Sequence, residues 1–177
     1  MKKILLMGNP NVGKSSIFSR LTGAKVIISN YPGTTIEFTR GYLKLGREKV
    51  QVLDVPGTYT LEPLTKAEEI ACLMLKEGDL VINIVDATNL ERNLYLTLQL
   101  LEKNIPVIVV LNMWDDTKHR GIEIDVKKLE RKICLFTNSN LRFANWQKIK
   151  FIPFWELPVL PLALQYAWLS RCLFSMN

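Results

Sequence analysis

Histidine and cysteine are scarce: His119 stands alone, and Cys72, Cys134 and Cys172 are the only thiols in 177 residues. The cysteines are widely spaced, odd in number and form no C-x-x-C pair, so neither a zinc motif nor a disulfide framework is indicated. Reduced thiols in a cytosolic compartment fit that usage. His119 has no partner motif and reads as a surface residue after a strand, not as a ligand. Long blocks of Lys or Arg are also missing. The net charge of +6 has much of its excess between Lys118 and Lys150, and it reads as a solvated basic face, with no nucleic-acid partner expected. No apolar run is long enough to span a bilayer. Leu157 to Leu169 is short for that and holds Pro158 and Pro161. The chain enters a strand at once, without the layout of a signal peptide. A soluble chain is the expectation.

What is present is ordinary in bulk and specific in detail. A content of 48% hydrophobic and 23% charged residues suits one globular domain with a sizeable core. The apolar run Ile4-Leu5-Leu6-Met7 leads directly into G-N-P-N-V-G-K-S, Gly8 to Ser15. That is the G-x-x-x-x-G-K-[ST] phosphate loop, in the strand-then-loop context the motif requires. Gly8 and Gly13 let the backbone wrap close to an anion, so that successive N–H groups point at phosphate oxygens. Lys14 supplies a point charge to the outer phosphates, and Ser15 offers a hydroxyl to Mg²⁺. The helix that follows adds its positive dipole end. The expected contact set here is Gly8, Asn9, Pro10, Asn11, Val12, Gly13, Lys14, Ser15 and Ser16.

Apolar and amphipathic segments alternate along the chain. Ile4–Met7 predicts a strand, Ser15–Leu21 a helix, and Lys25–Ile36 a loop centred on Asn30-Tyr31-Pro32-Gly33. Glu37–Leu45 and Lys49–Leu53 predict a hairpin across Gly46-Arg47. Helical spacing covers Leu64–Lys76, Asn93–Lys103 and Val126–Ile133. Leu80–Val85 and Val107–Leu111 read as central parallel strands covered on both faces. Strands separated by helices imply an α/β fold with an open, mostly parallel sheet. Ligands of such sheets sit at the carboxyl ends of the strands.

Two further motifs fall at those ends. In D-V-P-G, Asp54 can hold a Mg²⁺-bound water, and the Gly57 N–H can reach a γ-phosphate; Val55 and Pro56 complete the segment. In N-M-W-D, Asn112 to Asp115, the Asp115 carboxylate can accept hydrogen bonds from the N1–H and exocyclic amine of guanine. Adenine offers no such donor pair, so a carboxylate there selects guanine; Asn112 and Met113 belong to the same contact set. Between these motifs and the phosphate loop lies N-Y-P-G-T-T, Asn30 to Thr35. A threonine hydroxyl there can complete Mg²⁺ coordination while the γ-phosphate is present, and hydrolysis releases the loop. Thr35 is the first choice and Thr34 the competitor, with Gly33 beside them.

With these motifs in order, the chain resembles the translation-factor-like small GTPases, and more narrowly the N-terminal G domain of the FeoB family of ferrous iron transport proteins. Three stretches carry the narrower likeness: N-Y-P-G-T-T, D-V-P-G-T-Y-T-L at Asp54–Leu61, and the long run V-I-N-I-V-D-A-T-N-L-E-R-N-L-Y-L-T-L-Q-L-L at Val81–Leu101. The resemblance covers roughly Met1 to Glu130. The resemblance implies a P-loop NTPase fold of Ras-like topology, with helices on both faces of the sheet. It also implies a slow GTP switch, GTP to GDP and phosphate, on the cytoplasmic side of a membrane permease that takes up Fe²⁺. The family's phosphate-loop asparagine, here Asn11, helps bind a K⁺ in the position of an arginine finger. Thr58 stands where Ras-like enzymes place a water-orienting Gln, so catalysis is expected from Asn11, Lys14, Thr35 and Gly57 together with Mg²⁺, at a low rate.

After about Arg131 the likeness ends. The family continues with a strand, a Ser/Ala loop contacting the guanine O6, and a helix, whereas L-F-T-N-S-N-L-R-F-A-N-W and the Trp- and Phe-rich residues after it show no such loop, and Ser139 is not assigned to it. The expectation is a GTP-binding domain over 1–133 and an atypical tail over 134–177. That tail is either altered, as by a frameshift, or a divergent ending; in the first case the last strand edge is bare. Two competing functions are an RNA- or ribosome-associated assembly GTPase of the Era or Der type, and a truncated product that binds nucleotide weakly.

Overall fold

The apolar runs Lys3–Gly8 (β1), Leu80–Asp86 (β5) and Val107–Asn112 (β6) form the buried centre of a seven-stranded sheet. A computed structural model describes residues 1–23, 27–103, 105–140 and 149–153 of the chain. The strand order is β2-β3-β4-β1-β5-β6-β7, with β2 at Ile27–Asn30, β3 at Glu37–Leu45, β4 at Glu48–Asp54 and β7 at Ile149–Pro153. From β4 through β1, β5 and β6 to β7 every pairing is parallel; only β2-β3 and β3-β4 are antiparallel. The fold is therefore the expected α/β class.

Strand alternation sends the two faces of this sheet into separate cores. Leu5, Met7, Val81, Val85, Val109 and Leu111 face α2 (Lys66–Leu75) and α3 (Leu90–Glu102), meeting Ile70, Met74, Leu96 and Leu100. Ile4, Leu6, Val52, Ile82, Ile84 and Val110 face α1 (Lys14–Thr22), meeting Ile17 and Phe18. Helix α2 starts on a capping box: the Glu68 N–H donates to Thr65 Oγ1 at 3.3 Å, and the Thr65 N–H donates back to Glu68 Oε2 at 2.9 Å. Among the described residues no helix is long and apolar enough to cross a membrane.

The structure departs from the sequence expectation in four places. Ile27–Asn30 is a strand within the segment read as loop, pairing antiparallel with β3 from Ile27↔Arg40 to Asn30↔Glu37. Its four residues are mostly exposed, so no burial alternation marked it. Trp114–His119 forms a short helix, α4, which places His119 at a helix end. Helix α5 runs over Val126–Asn140, seven residues beyond the expected Ile133. Finally, β7 pairs with β6 from Val107↔Ile149 to Leu111↔Pro153, so the β6 edge that a frameshifted tail was expected to leave bare is occupied. The segment I-K-F-I-P has too few residues to announce a strand by itself. The expected position of the O6-contacting loop, after this strand, lies outside the described residues.

Candidate nucleotide site

Strands β1, β4 and β6 run in the same direction, and the three motif-bearing loops leave from their carboxyl ends. Register places Leu6 beside Asp54 and Asp86 beside Asn112, so the motifs converge at one edge of the sheet. This is the position where a parallel sheet binds its ligand.

The phosphate loop turns on three residues with positive φ: Gly8 at 149°, Asn11 at 64° and Gly13 at 85°. Gly8 and Gly13 have no room for a side chain as well. A Cβ on Gly8 would strike the Ile84 carbonyl oxygen, and one on Gly13 would strike the Asn112 amide. Asn11 is left exposed at the crest, while Val12 is buried against the α1 side of the core. Asn112 Nδ2 donates to the Val12 carbonyl at 2.8 Å, tying the N-M-W-D strand end to the loop. That bracing role has no signature in the sequence, because the two residues lie 100 positions apart.

The D-V-P-G segment is sewn to β1 and to the same loop. The Val55 N–H donates to Leu6 O at 3.1 Å and the Thr58 N–H donates to Gly8 O at 3.2 Å. Gly57 lies so close that a Cβ there would sit 3.1 Å from Pro10 Cα and 3.2 Å from Lys14 Nζ. Ser15 Oγ donates to Asp54 Oδ2 at 3.2 Å. Burial pushes the Asp54 carboxyl above its ordinary range, offset in part by Lys14 and the Ser15 hydrogen bond. Burial likewise pushes the Lys14 ammonium down, offset by Asp54. Two desolvated charges thus face one another where phosphates and a cation would satisfy both. Asp54 Oδ1 is buried without a hydrogen-bond partner. An orphan carboxylate oxygen beside a serine hydroxyl is the hard-oxygen donor set that suits Mg²⁺.

Three other expected residues have a clear local state. Thr34 Oγ1 donates to Tyr31 O at 3.0 Å and accepts from the Ile36 N–H at 3.2 Å, so its hydroxyl holds the loop's own turn; Thr35 is exposed. Thr58 is 2% exposed, and its hydroxyl donates to Thr60 O at 2.5 Å. Its side chain therefore points into the fold. Asp115 is exposed in the first turn of α4.

Asn9, expected among the phosphate-loop contacts, is 2% exposed with both amide atoms unpartnered, a burial its place in the motif did not announce. Sequence reasoning missed a polar seam inside the long Val81–Leu101 stretch. There Asn83 Nδ2 donates to Thr97 Oγ1 at 2.7 Å, joining β5 to α3. Asn93 Nδ2 donates to Asn89 O at 2.8 Å at the start of that helix. An Asn in the middle of V-I-N-I-V was the available signal, since a buried amide requires a partner.

A family model described as ferrous iron transport protein B matches residues 2–147. The chain belongs to that family. The match reaches past Glu130, where the motif resemblance stops, and takes in all of α5. Among curated relatives, the Fe(2+) transporter FeoB of Legionella pneumophila (strain Lens) is 46% identical over 136 residues, 73% of this chain and 18% of that protein. The FeoB of Salmonella typhimurium is 46% identical over 141 residues, covering 75% of this chain and 18% of the relative. The chain thus spans less than a fifth of the length of these FeoB relatives. The solved cytosolic domain of L. pneumophila FeoB superimposes with a TM-score of 0.71 at 41% identity, over 86% of this chain and 62% of that one. A GDP-bound E67A mutant of S. thermophilus NFeoB gives a TM-score of 0.76 at 34% identity, over 100% and 65%.

Proposed function

We propose that the chain binds Mg²⁺·GTP and hydrolyses it slowly, as a switch domain regulating ferrous iron uptake through a membrane permease. The observation that carries this reading is the convergence of Lys14, Ser15, Asp54 and Gly57 at one point of the sheet edge, braced by Asn112. In this reading residues 1–133 form the nucleotide-binding unit, and β7 completes its sheet. Backbone N–H groups from Asn9 to Ser16 wrap the phosphates, and Lys14 neutralises the outer ones. Ser15, Asp54 and Thr35 would hold the Mg²⁺, which would shield the charge that builds on the phosphoryl oxygens. Thr35 takes that place over Thr34 because the Thr34 hydroxyl is engaged in its own turn. The Gly57 N–H faces the γ-phosphate beside Lys14, with Gly33, Val55 and Pro56 shaping the loops around it. Asp115 reads guanine beside Asn112 and Met113. The GDP-bound state of the S. thermophilus NFeoB structure supports the choice of nucleotide, and the names of the FeoB relatives support iron transport as the process served.

Titrating the chain with GTP, GDP and ATP, with and without Mg²⁺, tests this reading. Both guanine nucleotides are expected to bind at least about 100-fold more tightly than ATP, the discrimination of a site built around a hydrogen-bonding pair. Equal binding of ATP would overturn it.

The low rate follows from Thr58, whose buried hydroxyl leaves no side chain to orient the attacking water. A K⁺ held with the help of Asn11, exposed at the loop crest, would supply charge in place of an arginine finger. GTP turnover in K⁺ is therefore expected to exceed that in Na⁺ by roughly 10-fold, a modest share of the 10³–10⁵ that an arginine finger provides. In Asn11→Ala the two rates become equal. Equal rates in the unaltered chain would remove the cation from the mechanism.

A further inference from the structure

The segment that follows D-V-P-G is held at both ends. Its near end is fixed to β1 through Val55 and to the phosphate loop through Thr58 and the close approach of Gly57 to Lys14. Its far end is fixed to α3. Gln99 Oε1 accepts two hydrogen bonds, from the Leu61 N–H at 2.7 Å and from Thr60 Oγ1 at 3.1 Å. A backbone N–H can only donate, so the acceptor must be the amide oxygen, and the orientation of Gln99 is settled by that bond. Two turns earlier on the same face of α3, the Arg92 guanidinium lies 4.2 Å from the centroid of the Tyr59 ring. Cys72 Sγ on α2 adds a weak bond to Leu61 O at 3.0 Å.

We infer that Gln99 is a positioning residue for hydrolysis: by clamping Thr60 and Leu61 to α3 it fixes where the Gly57 N–H stands against the phosphate loop. The inference rests on the GTPase reading above. A short loop tethered at both ends has few conformations, and cutting one tether restores backbone freedom to its residues. The Gly57 N–H must sit within hydrogen-bond distance of an oxygen that gains charge as the γ-phosphoryl group leaves, so loosening acts on the transition state. GDP has no such group. Its affinity depends on Lys14, Ser15 and Asp115, which the clamp does not touch.

Three variants of the 177-residue chain test this. Gln99→Met keeps the side-chain length and removes the acceptor; Gln99→Glu keeps an acceptor for both donors; Thr60→Val removes one donor from the opposite side. Gln99→Met is expected to lower kcat about 10-fold, the worth of roughly one net hydrogen bond, with GDP affinity unchanged. Gln99→Glu is expected to keep kcat near that of the unaltered chain, and Thr60→Val to lower it about 3-fold, less than one full hydrogen bond. Hydrogen exchange at the Leu61 amide should quicken in Gln99→Met and stay slow in Gln99→Glu. An unchanged kcat in both Gln99→Met and Thr60→Val would overturn the inference. So would a parallel loss of kcat and GDP affinity without rescue by Gln99→Glu, the mark of a merely structural role. If Gln99→Met does not fold, Thr60→Val carries the comparison. A chain that hydrolyses no GTP at all refutes the GTPase reading instead, and the Leu61 exchange rates still report on the clamp.

Discussion

Gly13→Ala is expected to lower guanine-nucleotide affinity at least about 100-fold, near 3 kcal/mol, while the chain stays folded. Two separate costs act at this residue. Its φ of 85° lies in the left-handed region, which costs a residue with a Cβ on the order of 1 kcal/mol. In addition, the new Cβ would overlap the Asn112 amide nitrogen. That nitrogen is the one that donates to the Val12 carbonyl at 2.8 Å. The methyl group therefore pushes out the brace between the phosphate loop and the β6 strand end, and leaves the Val12 carbonyl unpaired. The loop N–H groups must converge on the phosphates to bind them, so a shift of a few tenths of an ångström at Gly13 is felt at every contact. Isothermal titration with GDP and Mg²⁺ reads the loss, and thermal unfolding without nucleotide checks that stability falls by only about 1–2 kcal/mol. Wild-type affinity in Gly13→Ala would show that the brace is dispensable.

The result bears on how the site is powered. Lys14 and Asp54 are both drawn out of water, and burial opposes the charged form of each. Alone they compensate one another only in part. A Mg²⁺·phosphate group would supply an anion to the first and a cation to the second, so binding would relieve a cost already built into the fold. The phosphate loop contributes geometry and the pair contributes charge, and both depend on the D-V-P-G segment lying against Pro10 and Lys14.

Motifs whose chemistry is local were legible from residues alone. The strand-loop-helix context of Gly8 to Ser15 announces a phosphate loop because turn, charge and hydroxyl are adjacent in the chain. The apolar runs of β1, β5 and β6 announce a parallel sheet because strands covered on both faces need no alternation. What stayed hidden depends on distant partners. Asn112 bracing Val12, Gln99 gripping Leu61, and Asn83 meeting Thr97 are each set by the folded sheet, and none has a fixed spacing. Strand β2 was illegible for a different reason: its isoleucines, Ile27 and Ile28, are 42% and 66% exposed on the sheet edge, so the burial pattern that marks a strand is missing. Strand β7 was illegible because five residues carry too little pattern of their own and are held by pairing with β6.

Asp115→Asn is expected to shift base preference from guanine to xanthine. Guanine presents two donors on one edge, the N1–H and the exocyclic amine, and a carboxylate accepts both. Xanthine keeps the N1–H but carries a carbonyl where guanine has the amine. An asparagine amide offers one acceptor and one donor, so it matches xanthine and sets its own NH₂ against the guanine amine. A hydrogen bond to a charged acceptor contributes about 1.5–3 kcal/mol. Asp115 is exposed on the first turn of α4, which places the effect at the lower end of that range for each bond. The summed loss for GDP is then about 3 kcal/mol, or roughly 100-fold, with a gain of similar size for xanthosine diphosphate. Competition between the two diphosphates for the same variant measures the switch directly and cancels any change in the phosphate loop. A variant that weakens GDP without gaining xanthosine diphosphate would place the base elsewhere than against Asp115.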